Sequence, residues 1–434
     1  NAAADAGVTG TSTMTNAELI TAIKTANDTA IANGVDLTTD NVAAIDAAVV
    51  ALGISGITTL AQLNTAYDLL LNPVAVDATK TLTSVTDNFT TTNGNDTFYA
   101  LTDGDFATGD ILNGGTGTDN LVAVFATAGA DEAIRPVMTG IETVDIDVTD
   151  GSSTATTTTL NLDQSTDVTS VRIGNNAFNT AADTFVVTNV GTAASLTVYD
   201  TAGHASANAN NYTMSYSGVT GTSDTATVNV VMSSADGALG TITIANVESV
   251  TANASGGYDA TYGLTTADAT TLTITAAADA ATDASGGTVT VTAILAETLN
   301  VTSATDLTIN DNTNKLVKVN DVNIDSTVAD EVVTITGLTT TATASTADAV
   351  TIDITGAGDA SVGVDTNFGT YNASTNADSV TVTGTGTGDV TVTMNTTAAN
   401  IVNTGSGNDT LVIASGEVLN DVDNINLGGG TGDT

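Results

Sequence analysis

Cysteine and tryptophan are missing from this 434-residue chain, proline occurs twice and histidine once. Without Cys there is no disulfide, no thiolate metal site and no cysteine nucleophile. With His204 as the one histidine, a His-Glu-x-x-His zinc motif cannot be written, and no Gly-x-Ser-x-Gly nucleophile turn occurs. The chain therefore reads as a non-enzyme. Basic residues number six against 49 acids. Lys24, Lys80, Arg135, Arg172, Lys315 and Lys318 are scattered, so no basic stripe exists to displace counterions from nucleic acid, and that partner is excluded. No apolar run approaches the ~18–20 residues of a membrane-spanning helix. Aromatic residues make up 3%, which leaves no material for a core built on large rings.

The formal charge is -43, and only seven of the acids are Glu, the other 42 being Asp. Glu suits helices and Asp suits turns, so carboxylates are expected at bends. Such a charge opposes compaction unless cations neutralise it. Hydrophobic residues still reach 41%, mostly Ala, Val, Ile and Leu. That is too many for a disordered chain and points to a thin core of small aliphatics.

Residues 1–80 carry helical signals. Thr15-Asn16-Ala17-Glu18 is a capping box ahead of Leu19, Ile20 and Ile23. A second helix is expected from about Thr39 to Gly53, and a third from Thr59 to Asn72-Pro73. From about 81 the period changes to two, as in Val144-Asp145-Ile146-Asp147-Val148, Thr271-Leu272-Thr273-Ile274-Thr275 and Ser379-Val380-Thr381-Val382-Thr383. These short strands alternate Val/Ile with Thr/Asp/Asn and are separated by Gly, Asp, Asn and Ser turns. A weaker repeat opens strands with Glu-Thr/Ser-aliphatic, at Glu142-Thr143-Val144, Glu248-Ser249-Val250 and Glu297-Thr298-Leu299. Scarce Pro and aromatics favour a β-solenoid, a parallel β-helix-like array preceded by a small α-helical segment. Tandem antiparallel β-sandwiches are the alternative.

One motif is specific. Gly114-Gly115-Thr116-Gly117-Thr118-Asp119-Asn120-Leu121-Val122 matches the nonapeptide G-G-x-G-x-D-x-U-x at every fixed position. Thr91–Tyr99, with Asn93, Gly94, Asn95 and Asp96, matches its second half. Thr404–Val412, with Gly405, Gly407, Asn408 and Asp409, lacks the first glycine, and Gly429–Asp433 is a shorter copy. Asp96 and Asp119 are separated like Asp409 and Asp433, and Asp110-Ile111-Leu112-Asn113 parallels Asp423-Asn424-Ile425-Asn426, so the block recurs. Expected boundaries are a helical segment at 1–80, a first block at 81–125, a β-rich solenoid-like domain at 126–400 and a second, truncated block at 401–434. The last is cut inside a motif, which suggests a piece of a longer chain.

Glycine turns leave carbonyl oxygens pointing inward and the Asp adds a carboxylate. An oxygen-only ligand set from a tight turn suits a hard cation of calcium's size, in the absence of imidazole or thiolate. Candidate ligands in the first block are Asn93, Gly94, Asn95, Asp96, Asp103, Asp105, Asp110, Asn113, Gly114, Gly115, Gly117 and Asp119. Those in the second are Gly405, Gly407, Asn408, Asp409, Asp423 and Asp433. Ordinary metal-free Gly/Asn/Asp turns are the competing explanation. The pairs Asp103/Asp105 and Asp145/Asp147 also fit a glycosidase, but their alternation is not diagnostic.

These nonapeptides resemble the calcium-binding RTX repeats of proteins exported by type I secretion. Together with the Glu-Thr-Val strand openings and the Thr/Ala/Val/Asp-rich, Cys-free background, they resemble RTX-type bacterial surface-layer proteins of the Caulobacter kind. The resemblance implies a secreted, calcium-binding protein that tiles the outside of a Gram-negative cell with copies of itself. It also implies attachment to lipopolysaccharide through a helical N-terminal domain, although nothing in residues 1–80 identifies such a site. An adhesin or extender of the same secretion class is the alternative. Ice or carbohydrate binding is a further one, raised by Thr-x-Thr pairs such as Thr288/Thr290/Thr292.

Overall fold

The computed structural model describes residues 76–127, 132–150, 155–177, 183–191, 194–200, 210–219, 221–232, 237–278, 286–311, 316, 318–328, 331–338, 350–364, 368–373, 380–384, 391–394, 400–404, 408–413 and 423–434, with a few helical positions before them. The chain divides into two compact units, Asn1–Asp77 with Thr92–Asn95, and Ala78–Thr91 with Asp96–Thr434.

In the first unit Thr21, Ala22, Lys24, Thr25 and Asp28 are helical, as are Gln62 and Asn64. Asn64 Nδ2 donates to Asp28 Oδ1 at 2.6 Å. The helix expected around 39–53 lies outside the described residues. Among those described, no helix is long and apolar enough to cross a membrane.

The second unit is a parallel β-solenoid. One sheet has 15 strands, running from Thr79–Thr81 through Thr97–Ala100, Asn120–Thr127 and Thr143–Asp150 to Thr410–Ile413. The other has 13, from Glu132–Ile134 to Asn424–Asn426, and a small sheet of Asn88–Thr90, Ile111–Asn113 and Val137–Thr139 precedes it. From Thr143–Asp150 onward strands alternate between the two large sheets along the chain, so each coil there gives one strand to each. Neighbours within a sheet are parallel, as at Thr97↔Asn120 and Thr271↔Thr298. A parallel neighbour cannot be reached by a hairpin, which excludes the antiparallel sandwich.

The period-two pattern becomes an alternation of inward aliphatics and outward Thr, Asn or Asp. Thr271–Ala276 and Thr298–Ser303 both alternate half-exposed with buried positions. Coil-to-coil register stacks the inward residues in ranks, one of which is Val144, Val171, Leu196, Val228, Ala252, Ile274, Val301, Ile324 and Ile354. All nine are at most 1% exposed. Each such Val, Leu or Ile contributes roughly 1.5–3 kcal/mol by leaving water. Near the start of the solenoid Phe125 meets Phe106 and Phe185 edge-on at 6.0 Å, and further along Tyr212, Tyr216 and Tyr262 are buried in the core. Within the second unit the strands from Thr79–Thr81 to Asn424–Asn426 share this one continuous stack.

Candidate metal centre

Acids stack on acids where the chain enters the 15-stranded sheet. The register Thr97↔Asn120↔Thr143 puts the preceding residues Asp96, Asp119 and Glu142 in one column. The Ala78 N–H donates to Asp96 Oδ1 (2.5 Å), the Asp96 N–H to Asp119 Oδ1 (2.7 Å) and the Asp119 N–H to Glu142 Oε2 (2.7 Å). Carbonyls run the other way, Asp96 accepting from the Asn120 N–H at 2.8 Å and Asp119 from Glu142 at 3.1 Å. The bond recurs between the Asp224 N–H and Glu248 Oε2 (3.0 Å) and between the Asp409 N–H and Asp433 Oδ1 (2.9 Å). A strand-opening acid therefore first satisfies a backbone donor of the coil before it, a donor that would be costly to bury unpaired.

A second column stands where the chain enters the other sheets. The Asp87 N–H donates to Asp110 Oδ1 (2.8 Å), Thr156 to Asp183 Oδ1 (2.6 Å), Asp183 to Asn210 Oδ1 (3.0 Å) and Asn400 to Asp423 Oδ1 (3.0 Å). Asn serves as well as Asp because a single acceptor oxygen is all the bond needs.

The oxygen left over sets the first column apart. Asp96 and Asp119 are 1% and 0% exposed, and the Oδ2 of each is buried without a hydrogen-bond partner. Asp110, also 0% exposed, has its other oxygen taken by the Ala107 N–H at 2.8 Å. Beside Asp119 the glycines bring carbonyls close. A Cβ on Gly114 would overlap both the Gly140 carbonyl oxygen and Asp119 Oδ2, and one on Gly140 would lie 2.7 Å from the Gly115 carbonyl oxygen. Gly115 and Gly140 have φ of 87° and 60°, the left-handed region where glycine is favoured. Carboxylate and carbonyl oxygens thus converge on the Gly114 backbone with no cationic side chain among them. Burial pushes the Asp119 carboxyl above its usual range; the Asp96 N–H opposes this, and the charges of Asp96 and Glu142 add to it. Burial likewise raises Asp110, against the N–H groups of Asp87 and Ala107 and with the charge of Asp87.

The remaining sequence candidates fall elsewhere. Asn113 Oδ1 accepts the Gly115 N–H at 3.0 Å, while its carbonyl takes the Thr91 N–H at 2.9 Å. Gly117 is exposed, with φ of 142°. In the first unit, Gly94 packs so closely on the Val76 carbonyl that a Cβ would overlap it, and the Asn95 N–H donates to Asp77 Oδ1 at 2.9 Å. Asn93 is half-buried. Asp105 Oδ2 accepts the Thr102 N–H at 3.0 Å in a surface turn that also holds the exposed Asp103. In the last coils Asp409 is 0% exposed, and Asn408 lies 3.1 Å from where a Cβ on Gly432 would be. Gly405 and Gly407 lie outside the described residues. No group of three or more His, Cys, Asp or Glu converges among the described residues.

Sequence reasoning missed Glu142 as a third rung, although the Glu-Thr-Val repeat was its signal. It also missed the second column. The Asp145/Asp147 pair forms a separate outer-face cluster: Arg172 pairs with Asp145, the Tyr199 hydroxyl donates to Asp145 Oδ1 at 2.9 Å, and Arg172 lies 5.0 Å from the Tyr199 ring centre. Burial and the neighbouring carboxylates push the Tyr199 hydroxyl far up. Comparison with protein-family models, with characterised proteins and with solved structures returns no match to this chain.

Proposed function

We propose that this chain is a calcium-stabilised structural unit of a bacterial surface layer, secreted and assembled from copies of itself. The observation that carries the reading is the pair of buried carboxylate oxygens, Asp96 Oδ2 and Asp119 Oδ2, that no hydrogen bond satisfies. Burying an ionised oxygen without a partner is costly, and a divalent ion is the counter-charge that a histidine-poor, base-poor chain leaves available. The oxygens available to such an ion are the free Oδ2 of Asp119, with the carbonyls of Gly115 and Gly140 close to the same turn, and the free Oδ2 of Asp96 one coil earlier. When bound, calcium would supply positive charge where the solenoid concentrates negative charge. Asp409 and Asp433 repeat the rung near the other end of the stack. Secretion, the lattice and attachment to lipopolysaccharide through residues 1–80 follow from the resemblance to RTX surface-layer proteins.

A stiff stack of coils would serve equally as an adhesin or extender, and assembly separates the two. Purified protein is examined by light scattering and electron microscopy, with calcium and after chelation. Sheets or regular oligomers that form with calcium and dissolve with chelator are expected. A monomer of unchanged size under both conditions would remove the layer reading and leave the extender.

A further inference from the structure

The two outer faces of the solenoid differ in charge. The outward positions of the 15-stranded sheet carry Asp145, Asp147, Asp321, Asp325 and Asp353, with Arg172 paired to Asp145, while an acidic column lines the strand entries of each large sheet. The outward positions of the 13-stranded sheet carry hydroxyls and amides instead. Register aligns Thr241, Gly263, Thr290, Asn310 and Thr336 in one rank and Thr243, Thr265 and Thr292 in the next. Asp359, opening the strand Asp359–Val364, is the one carboxylate among the described outward positions of that face.

We infer that this uncharged face of the 13-stranded sheet docks against a second copy of the chain. The inference rests on the self-assembly reading and adds to it which surface meets which. A molecule of charge -43 repels its own copy wherever carboxylates face each other, and this face is where that repulsion is least. Its chemistry is also self-complementary: Thr hydroxyls and Asn amides both donate and accept, whereas carboxylates only accept. A two-fold contact places the same patch on both partners and needs that property. Size suffices as well. The ten of its strands with five or more residues, at ~4.8 Å spacing and ~3.3 Å per residue, give a face about 43 Å long and about 17 Å wide. That is comparable to the ~800 Å² per partner of an ordinary stable interface.

The test uses the full chain in calcium. Thr243→Glu with Thr290→Glu adds charge to the proposed face, and Thr251→Glu with Thr273→Glu adds it to the opposite one. Sedimentation measures association, and circular dichroism checks that each variant folds. The first pair is expected to weaken association at least about tenfold and the second to change it far less. Because the chain has no native Cys, Thr290→Cys and Thr273→Cys offer a readout that adds no charge, in which a short bis-maleimide should link copies through position 290 only. Association that persists in the first pair, or cross-linking through position 273 alone, overturns the face assignment while leaving self-assembly standing. A wild-type chain that stays monomeric in calcium overturns both. If such a monomer binds ice or insoluble polysaccharide, and the first pair abolishes that binding, the face belongs to that lattice.

Discussion

The Asp119 carboxylate accepts the backbone N–H of Asp96 at 2.7 Å, one coil earlier, and keeps its second oxygen buried and unbonded beneath Gly114. One side chain thus holds two coils in register and leaves a charge that needs an answer. The two roles separate by mutation. Asp119→Asn retains the acceptor and removes the charge, so in chelator its stability should match or exceed wild type. Asp119→Ala strips the acceptor from a buried N–H and should cost about 1–3 kcal/mol. Urea unfolding measures both, and the calcium-dependent gain should vanish in each.

Gly114→Ala forces a methyl group into the Gly140 carbonyl and the Asp119 carboxylate, an overpacking that should cost about 1–3 kcal/mol and abolish calcium stabilisation. Gly104 has φ of 81° with open space around it. Gly104→Ala should therefore cost only the roughly 1–2 kcal/mol of left-handed strain. Thermal melts with and without calcium distinguish the pair.

Acid should act in opposite directions on the two forms. The Asp119 and Asp110 carboxyls are raised in the folded chain, above about 3.9 when unfolded. Their ionisation therefore costs folding free energy. Without metal, stability should increase as pH falls through the raised values and level off near the unfolded one. Calcium favours the ionised form, so the loaded protein should instead lose stability across the same window. Melting temperatures from neutral pH down to that of the unfolded carboxyl, in calcium and in chelator, read the two slopes.

Two buried tyrosines give a control on the core. The Tyr216 hydroxyl donates to the Ala194 carbonyl at 2.5 Å, so Tyr216→Phe should lose about 1 kcal/mol. The Tyr262 hydroxyl is buried with no protein partner, and Tyr262→Phe should be neutral or gain up to about 1 kcal/mol. Paired urea titrations of the two variants check the contrast.

Much of this was legible beforehand because it rests on local rules. Alternation in Thr271–Ala276 and its neighbours sets which face goes inward, and the turn at Gly114–Asp119 announces itself through its glycines. What stayed hidden depends on coil stacking. Asp110 belongs to a different column from Asp119, a fact set by which sheet each strand joins rather than by spacing in the chain. Rungs such as Asp183–Asn210 and Asn400–Asp423 escaped because any acceptor oxygen can make the bond and the separation between rungs varies, 27 residues in the first pair and 23 in the second. Glu142 and Glu248 were visible as a repeat, yet their partners, the N–H groups of Asp119 and Asp224, appear only once the coils are in register.

The most direct measurement is calcium titration of the metal-free chain by calorimetry, repeated on the Asp96→Asn/Asp119→Asn double variant, with unfolding followed in parallel. Saturable binding that raises the melting temperature of the wild type, with loss of those sites and that gain in a double variant that still folds, is the expected result. Equal binding and equal stabilisation in both, or none in the wild type, would contradict the assignment of the buried Asp96 and Asp119 oxygens to an ion.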